Sequence, residues 1–147
     1  MASGNLAAAA AFFSAMGART EHARHAGVAR AAKLIEDKAK AVIGTYDYGW
    51  PELDDATKED RVRQGFTANE PELRSGALKA SIGHVAEGDH AVIGSADKNA
   101  VFAELGTSRA PPRPIFGPSV LLNLDEIKKE IGAPFHAALV GRSIRDD

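Results

Sequence analysis

The chain of 147 residues contains no cysteine. This absence excludes disulfide bonds, zinc sites built on cysteine and catalysis by a thiol. Aromatic residues are also few, at 6% of the chain, although 44% of the residues are hydrophobic. Alanine therefore makes up much of the hydrophobic share, and alanine favours helices more than it fills a core. A core with so few large side chains suggests that the protein gains stability from neighbouring subunits.

A long apolar run and an excess of one charge are missing as well. No stretch reaches the roughly 18 apolar residues that a membrane-spanning helix needs. Residues 6–16 lack the basic flank of a signal peptide, because the first basic residue is Arg19. The 18 basic and 20 acidic residues leave a net charge of −2. This balance disfavours a broad nucleic-acid surface, and we expect neither membrane association nor sequence-specific DNA binding.

The sequence also lacks the motifs of common enzymes and metal sites. Its glycines form no phosphate-binding loop, and no G-x-S-x-G nucleophile elbow is present. His22 and His25 lie one helical turn apart, but no further ligand follows at a spacing typical of a metal site. We therefore expect no catalytic residue, no cofactor and no metal, with a small hydrolase of unrecognised site as an alternative.

Helical periodicity dominates the first third of the chain. Apolar residues recur every three or four positions over residues 18–43, which predicts an amphipathic helix, and Gly44 is placed to end it. Residues 1–17 are predicted to form a flexible or helical N-terminal arm, or an arm that becomes ordered against a neighbouring subunit. No repeat or linker divides residues 18–147, which are predicted to form a single domain.

The middle of the chain carries signals of short elements. The alternating aromatics of residues 45–51 predict a short extended segment. Asp54, Asp55 and Thr57 are cap-type residues ahead of a short polar helix over residues 58–64. Pro71 is placed to begin another short helical stretch that ends near residue 76.

A β-hairpin is predicted next, because the period of the apolar residues changes from three or four to two. Residues 78–82 alternate as a half-buried strand does, and residues 90–94 form the second strand. Between them, Gly88 supplies the positive φ of a tight turn. His84 and His90 flank this turn and are expected at the surface.

The last third predicts a further strand, a loop and a closing helix. Residues 101–105 are predicted to be the strand, and residues 118–131 the helix, which residues 132–134 break. A final helical turn or tail follows over residues 135–144. The predicted fold class is α+β: a small antiparallel sheet, made of the hairpin and a further strand, packed against a long N-terminal helix and a C-terminal helix.

The most informative stretch is residues 100–120, with the sequence AVFAELGTSRAPPRPIFGPSV. Gly106 permits a backbone turn that a Cβ atom would obstruct. The prolines restrain Arg113 and Phe116 in an extended geometry that displays them. Glu104 is expected to pair with Arg113, within the fold or across a subunit boundary. The alternative is an intramolecular loop in which Glu104 caps a turn.

This stretch resembles the C-terminal signature of phage head–tail joining proteins. These are the neck and tail-completion proteins of HK97-like and lambda-like siphophages and the related Mu-type virion morphogenesis proteins. Residues 72–82 are similar to the family's Thr-Gly-x-Leu-x-x-Ser-Ile block, and residues 50–53 to its Trp-x-x-Leu segment. The sequence departs from the pattern at Leu105, where the family has an aromatic residue, and at Ile115-Phe116, where it has phenylalanine first.

The resemblance implies a structural virion protein and not an enzyme. It implies a homo-oligomeric ring, expected to hold six copies, between the head-completion or connector proteins and the tail-tube proteins, with DNA passing through the channel. Such a protein is assembled in the host bacterial cytoplasm and resides in the virion. The sequence leaves open whether the ring is a tail terminator, a tail-completion protein or a head-side connector. The implied interface residues are Glu104, Gly106, Thr107, Pro112, Arg113, Pro114 and Phe116.

A second hypothesis about function stays open beside the phage interpretation. The same proline-rich segment could be presented to a partner domain by a non-viral protein-interaction module, as an extended polyproline ligand.

Overall fold

A computed structural model describes residues 2–141 of the chain, with the side chains of residues 5–141. It has the predicted α+β class, with a long N-terminal helix, an antiparallel hairpin and a C-terminal helix. In chain order the elements are α1 (Ala2–Val42), α2 (Asp55–Arg63), α3 (Ala77–Ser81), β1 (Ile82–Glu87), β2 (His90–Ser95), α4 (Asn99–Leu105), α5 (Phe116–Leu121) and α6 (Leu124–Leu139).

The long helix α1 is the support on which the other elements pack. The hairpin, α5 and α6 all contact it. Its buried positions follow the helical period and include several alanines, so neighbouring backbones approach closely. These positions are Ala23, Ala31, Ala32, Ile35, Ala39 and Val42. The helix extends without interruption towards the N-terminus through residues 2–17, ahead of the predicted start at residue 18.

The hairpin is confirmed, with a two-residue turn at Gly88 and Asp89. Gly88 has φ 60°, as the turn requires. Val85 pairs with Val92 on the outer face, while His84 pairs with Ile93 on the face towards α1. The expected surface position of His84 is therefore wrong. Its Nδ1 shares a hydrogen bond with the carboxylate of Glu36 on α1.

The Glu36 carboxylate ties the hairpin to the support helix. Lys40, one turn along α1, also binds it. Two hydrogen bonds lower the pKa of Glu36 below its ordinary value, the larger effect coming from Lys40 and the smaller from His84. Burial acts in the opposite direction. This half-buried carboxylate is therefore held in its charged form between two partners.

The short helix α2 is confirmed together with its cap. The side chain of Asp54 accepts a hydrogen bond from the Thr57 backbone N–H at 2.6 Å. Gly44 also has the predicted role after α1, with φ 95°, and its N–H donates to the Pro71 carbonyl at 2.8 Å.

Three local predictions before the hairpin are wrong. Residues 45–51 form turns instead of an extended segment, because Gly49 takes a positive φ and Trp50 is buried in the core. Pro71 begins no helix, since the next residue, Glu72, has φ 59°. The alternation of residues 78–82 belongs to α3 up to Ser81, and only Ile82 begins the strand.

The further strand predicted at residues 101–105 is helix α4, so the sheet has two strands within the described part of the chain. Ala100 and Ala103, three residues apart, are the buried positions of this helix. A helix suits this place because small alanines let the backbone pack closely on the core, whereas the β-favouring Val101 and Phe102 point outwards.

The closing helix begins and ends elsewhere than predicted. The chain forms α5 at Phe116–Leu121 and then α6 at Leu124–Leu139, which continues through Pro134. A proline inside a helix removes one hydrogen bond, but Pro134 and Ala138 are buried, and this packing holds the helix together. The predicted tail of residues 135–144 is helical as far as Leu139, and residues 142–144 lie outside the described range.

Two clusters of buried side chains form the core. The larger lies where the end of α1 meets Trp50, α3, α4 and the start of α5. The smaller joins α1 to α6 through Ala31, Ile35 and Ile127. None of the helices described here is long and apolar enough to cross a membrane.

The crossing of α1 and α6 depends on a glycine. A Cβ atom at Gly27 would lie 2.6 Å from the backbone oxygen of Ile131. Gly27→Ala should therefore lower the free energy of unfolding by about 1–3 kcal/mol through overpacking, measured by urea denaturation. Gly17→Ala is the matched control in the same helix, because a Cβ there has nothing within 4 Å. A loss of stability for Gly17→Ala equal to that for Gly27→Ala would contradict this account of the crossing.

Candidate interaction site

The carboxylate of Glu104 organises the edge of the molecule formed by residues 104–117. Its Oε2 accepts the backbone N–H groups of Ile115 at 2.7 Å and Phe116 at 3.2 Å, and its Oε1 accepts that of Gly117 at 3.3 Å. These donors lie at the start of α5, where helical N–H groups lack partners in their own helix. A negative charge is also favoured there by the helix dipole. Glu104 therefore closes the loop between α4 and α5.

The loop itself is a compact turn. Gly106 has φ 74°, and a Cβ atom there would lie 2.8 Å from the Pro112 nitrogen, which confirms the steric role predicted for this glycine. Thr107 donates its N–H to the Ala110 carbonyl at 2.9 Å. Its hydroxyl accepts the Arg109 and Ala110 N–H groups at 3.2 and 3.1 Å. The loop is thus held by its own hydrogen bonds.

The ion pair expected between Glu104 and Arg113 does not form within the subunit, and the predicted display of Arg113 is wrong. The Arg113 side chain is buried, with 6% of the residue exposed. Its Nε and Nη2 donate to the Pro51 carbonyl at 3.3 and 3.1 Å, and its Nη1 lies 3.5 Å from Oε1 of Glu72. Instead, Glu104 caps a turn inside the subunit, which was the alternative predicted from the sequence.

The other predicted interface residues lie at different depths. The Pro114 carbonyl accepts the indole N–H of Trp50 at 3.1 Å, so this proline is fastened to the core. Phe116 is half-buried and packs against the larger core cluster. Thr107 and Pro112 are exposed. The seven residues therefore form one rigid edge, of which only part faces solvent.

An open groove of about 420 Å³ lies beside this edge. Arg61, Glu72 and Arg113 line it, and Phe102 and Pro111 lie along its side. Sequence reasoning placed Arg61 on a polar helix, but it is only 4% exposed. Its guanidinium donates to the carbonyls of Thr67, at 2.9 Å, and Leu73. Two buried guanidinium groups thus line the groove together with one carboxylate, and of the two only that of Arg113 is paired with it.

Glu72 is unfavourably placed in the groove, in both its backbone conformation and the burial of its carboxyl group. Its φ of 59° is the only positive value at a non-glycine residue between residues 2 and 141. Burial raises the pKa of its carboxyl, although the charges of Arg113 and Arg61 act in the opposite direction. A strained backbone and an unfavourably buried acid in one groove are typical of functional sites.

An apolar face on α4 was missed by the sequence analysis. Val101, Phe102 and Leu105 are exposed on one side of α4, with Leu105 at 74%, and Phe102 also lines the groove. The signal that could have revealed it is the spacing of Ala100 and Ala103, which places alanines inside and large side chains outside. We call these three exposed residues the α4 face.

The described residues hold no group of three or more side chains arranged to bind a metal ion. Comparisons with protein-family models, curated proteins and solved structures found no match to this chain.

The capping role of Glu104 can be measured directly. Glu104→Ala should lower the free energy of unfolding by about 1–3 kcal/mol, because three backbone donors lose their acceptor. Glu104→Gln, which keeps one acceptor oxygen, should lose less. Glu59→Ala, at an exposed position of α2, controls for the loss of one charge. Stability of Glu104→Ala equal to that of the wild type in urea denaturation would argue against the cap.

The pKa of Glu72 predicts the pH dependence of stability. A raised pKa in the folded state means that folding favours the protonated acid. Its contribution is therefore complete below the ordinary value of 4.5 and is lost as the pH rises through the folded pKa. Relative to the wild type, Glu72→Gln should gain stability as the pH increases from 4 to 8, followed by thermal unfolding. A relative loss over that range would refute this sign, and Glu59→Gln is the control.

Proposed function

We propose that this chain is a structural subunit of the neck of a tailed bacteriophage, in a ring that joins or completes the tail at the head. The observation that carries the proposal is the rigid edge of residues 104–117 beside the exposed α4 face. The proposal joins this edge to the resemblance of residues 50–53, 72–82 and 100–120 to head–tail joining proteins. It assigns the chain no catalytic step.

The signature residues act in this proposal as internal braces. Glu104 caps α5, Arg113 anchors the loop to Pro51, and Pro114 is bound by Trp50. These contacts hold α4 in one orientation before assembly, so no part of this edge has to become ordered when a neighbour binds. A preorganised surface loses little conformational entropy when it binds, which favours repeated association of identical subunits.

The contact with a neighbouring subunit is assigned to the α4 face. Exposed apolar residues that adjoin one another mark protein–protein interfaces more often than single exposed ones do. Val101 and Leu105 lie one helical turn apart, and Phe102 adjoins the groove in which Arg61, Glu72 and Arg113 meet. A neighbour that packs on this face would cover the apolar side chains and close the groove.

The partners follow from the same proposal. The ring is expected to contain six copies, stacked between head-completion or connector proteins and the tail tube, with DNA passing through its channel. The net charge of −2 suits a channel through which DNA slides without being gripped.

The alternative, a module that presents its prolines as an extended ligand, has less support. A polyproline ligand needs accessible side chains along several residues. Here Arg113 is buried and the Pro114 carbonyl is occupied by Trp50, which leaves Pro111 and Pro112 exposed.

Variants on the α4 face separate assembly from folding. Charge reversal at Glu104 or Arg113 cannot do so, because both side chains brace the fold. Val101→Lys changes an exposed residue, so the monomer should keep its circular dichroism and urea midpoint. Val62→Lys on α2 is the matched control, since Val101 is 56% and Val62 60% exposed.

The decisive measurement is complementation of a phage that lacks this gene. The deletion should accumulate separate filled heads and tails in electron micrographs, and the wild-type chain or Val62→Lys should restore infectious titre. Val101→Lys should leave the titre close to that of the deletion. Joined, infectious particles in the absence of the chain would refute the proposed function, and full rescue by Val101→Lys would refute the role of the α4 face.

A further inference from the structure

The first part of α1 projects beyond the rest of the molecule. Residues 5–15 are all exposed, and the first buried residue of the helix is Ala23. At about 1.5 Å per residue, the helix ahead of Ala23 extends roughly 30 Å. We call residues 5–16 the projecting arm. Its two phenylalanines, Phe12 and Phe13, are 62% and 69% exposed.

The composition of the projecting arm does not suit a helix in water. The chain has no charged side chain before Arg19, and Leu6, Phe12, Phe13, Met16 and six alanines make up most of the arm. A solvated helix carries charged or polar residues on its exposed side, whereas a helix that is apolar all round is a buried one. The arm is therefore expected to pack against another apolar surface.

A matching surface lies on the second half of α6. Ile131, Phe135 and Leu139 follow each other at intervals of four residues and are each more than 40% exposed. Side chains at this spacing form one row along a helix. We call these three residues the α6 stripe. From Gly132 to Val140 the only ionisable residue is His136, so this surface is almost as free of charge as the arm.

The projecting arm cannot reach the α6 stripe of its own chain. The two helices run antiparallel, because Glu126 pairs with Lys38 while Glu130 pairs with Arg30. The end of α6 therefore points towards the start of α1. Because α1 is one unbroken helix, the arm continues past that end and cannot fold back. Arm and stripe can meet only between two molecules.

We infer that the projecting arm docks on the α6 stripe of a second copy of this chain. Two surfaces without charges complement each other, and neither offers a charged group to a different partner. The apolar side chains of one arm offer on the order of 500 Å², which with the area covered on the partner reaches about 1,000 Å², the lower bound for a specific interface.

The contact is heterologous, because arm and stripe are different surfaces of the same chain. A contact of this kind repeats from copy to copy and forms a ring if the rotation closes. The inference rests on the proposed function only for the biological use of that ring, since the docking itself can be tested with the purified chain.

Cysteine cross-linking tests the docking cleanly, because the full chain has no cysteine of its own. Ala9→Cys places one thiol on the arm, and Gly132→Cys, in a second chain of different mass, places one beside Phe135 and Leu139 of the stripe, at a position where an added Cβ has nothing within 4 Å. Mild oxidation of the mixture should give a mixed disulfide dimer as its main product. Ala56→Cys on α2 is the matched control, because residues 56 and 132 are both exposed positions within a helix.

Sedimentation velocity supplies the second measurement. The wild-type chain should self-associate, and Phe12→Glu with Phe13→Glu should shift it to the monomer while its circular dichroism spectrum stays that of the folded chain. A wild type that stays monomeric at high concentration, or equal cross-linking to Ala56→Cys and Gly132→Cys, would overturn the inference. So would an arm that binds phosphatidylcholine vesicles while giving no mixed dimer.

The two proposals fail separately. The arm could cross-link efficiently while a phage that lacks the gene still forms intact particles. That result would support the docking and refute the neck function. Loss of head–tail joining in the deletion, together with normal rescue by the Phe12→Glu, Phe13→Glu double variant, would support the neck function and refute the docking.

Discussion

The packing of several elements on one long helix is the constraint on which this structure depends. A two-stranded hairpin is at best marginally stable alone, and here it is held by contact with α1 and by the bond from His84 to the Glu36 carboxylate. The C-terminal helix depends on the same support, because the absence of a side chain at Gly27 lets it approach the α1 backbone. Small residues on α1 therefore compensate for the scarcity of large ones in the core.

A second feature is the burial of charged groups around the edge of residues 104–117. Arg61 and Arg113 each donate two hydrogen bonds to backbone carbonyls, and the Glu104 carboxylate accepts three backbone N–H groups. Such bonds specify one loop geometry more than they add stability, because removing charges from water is costly. Glu72 shows that cost in its raised pKa and its strained backbone. In the proposed function, this edge presents the α4 face to a neighbour.

Both proposed contacts use apolar side chains that the single chain leaves exposed. The α4 face adjoins the braced edge, and the projecting arm extends from the other end of α1. Since arm, stripe and face are separate surfaces, one subunit can contact two neighbours at once. A small domain with a thin core gains stability from such assembly, because each contact removes apolar surface from water.

The sequence alone determined the long helix, the Asp54 cap, the hairpin and the turn at Gly106, because each depends on contacts within a few residues. It also predicted the α+β class. Tertiary structure decided that residues 101–105 are helical, since burial of Ala100 and Ala103 outweighs the β-propensity of their neighbours, and that α6 continues through Pro134. It decided as well that Arg113 faces Glu72 and Pro51 and not Glu104. Those partners are 41 and 62 residues away in the chain, and only the folded core brings them together.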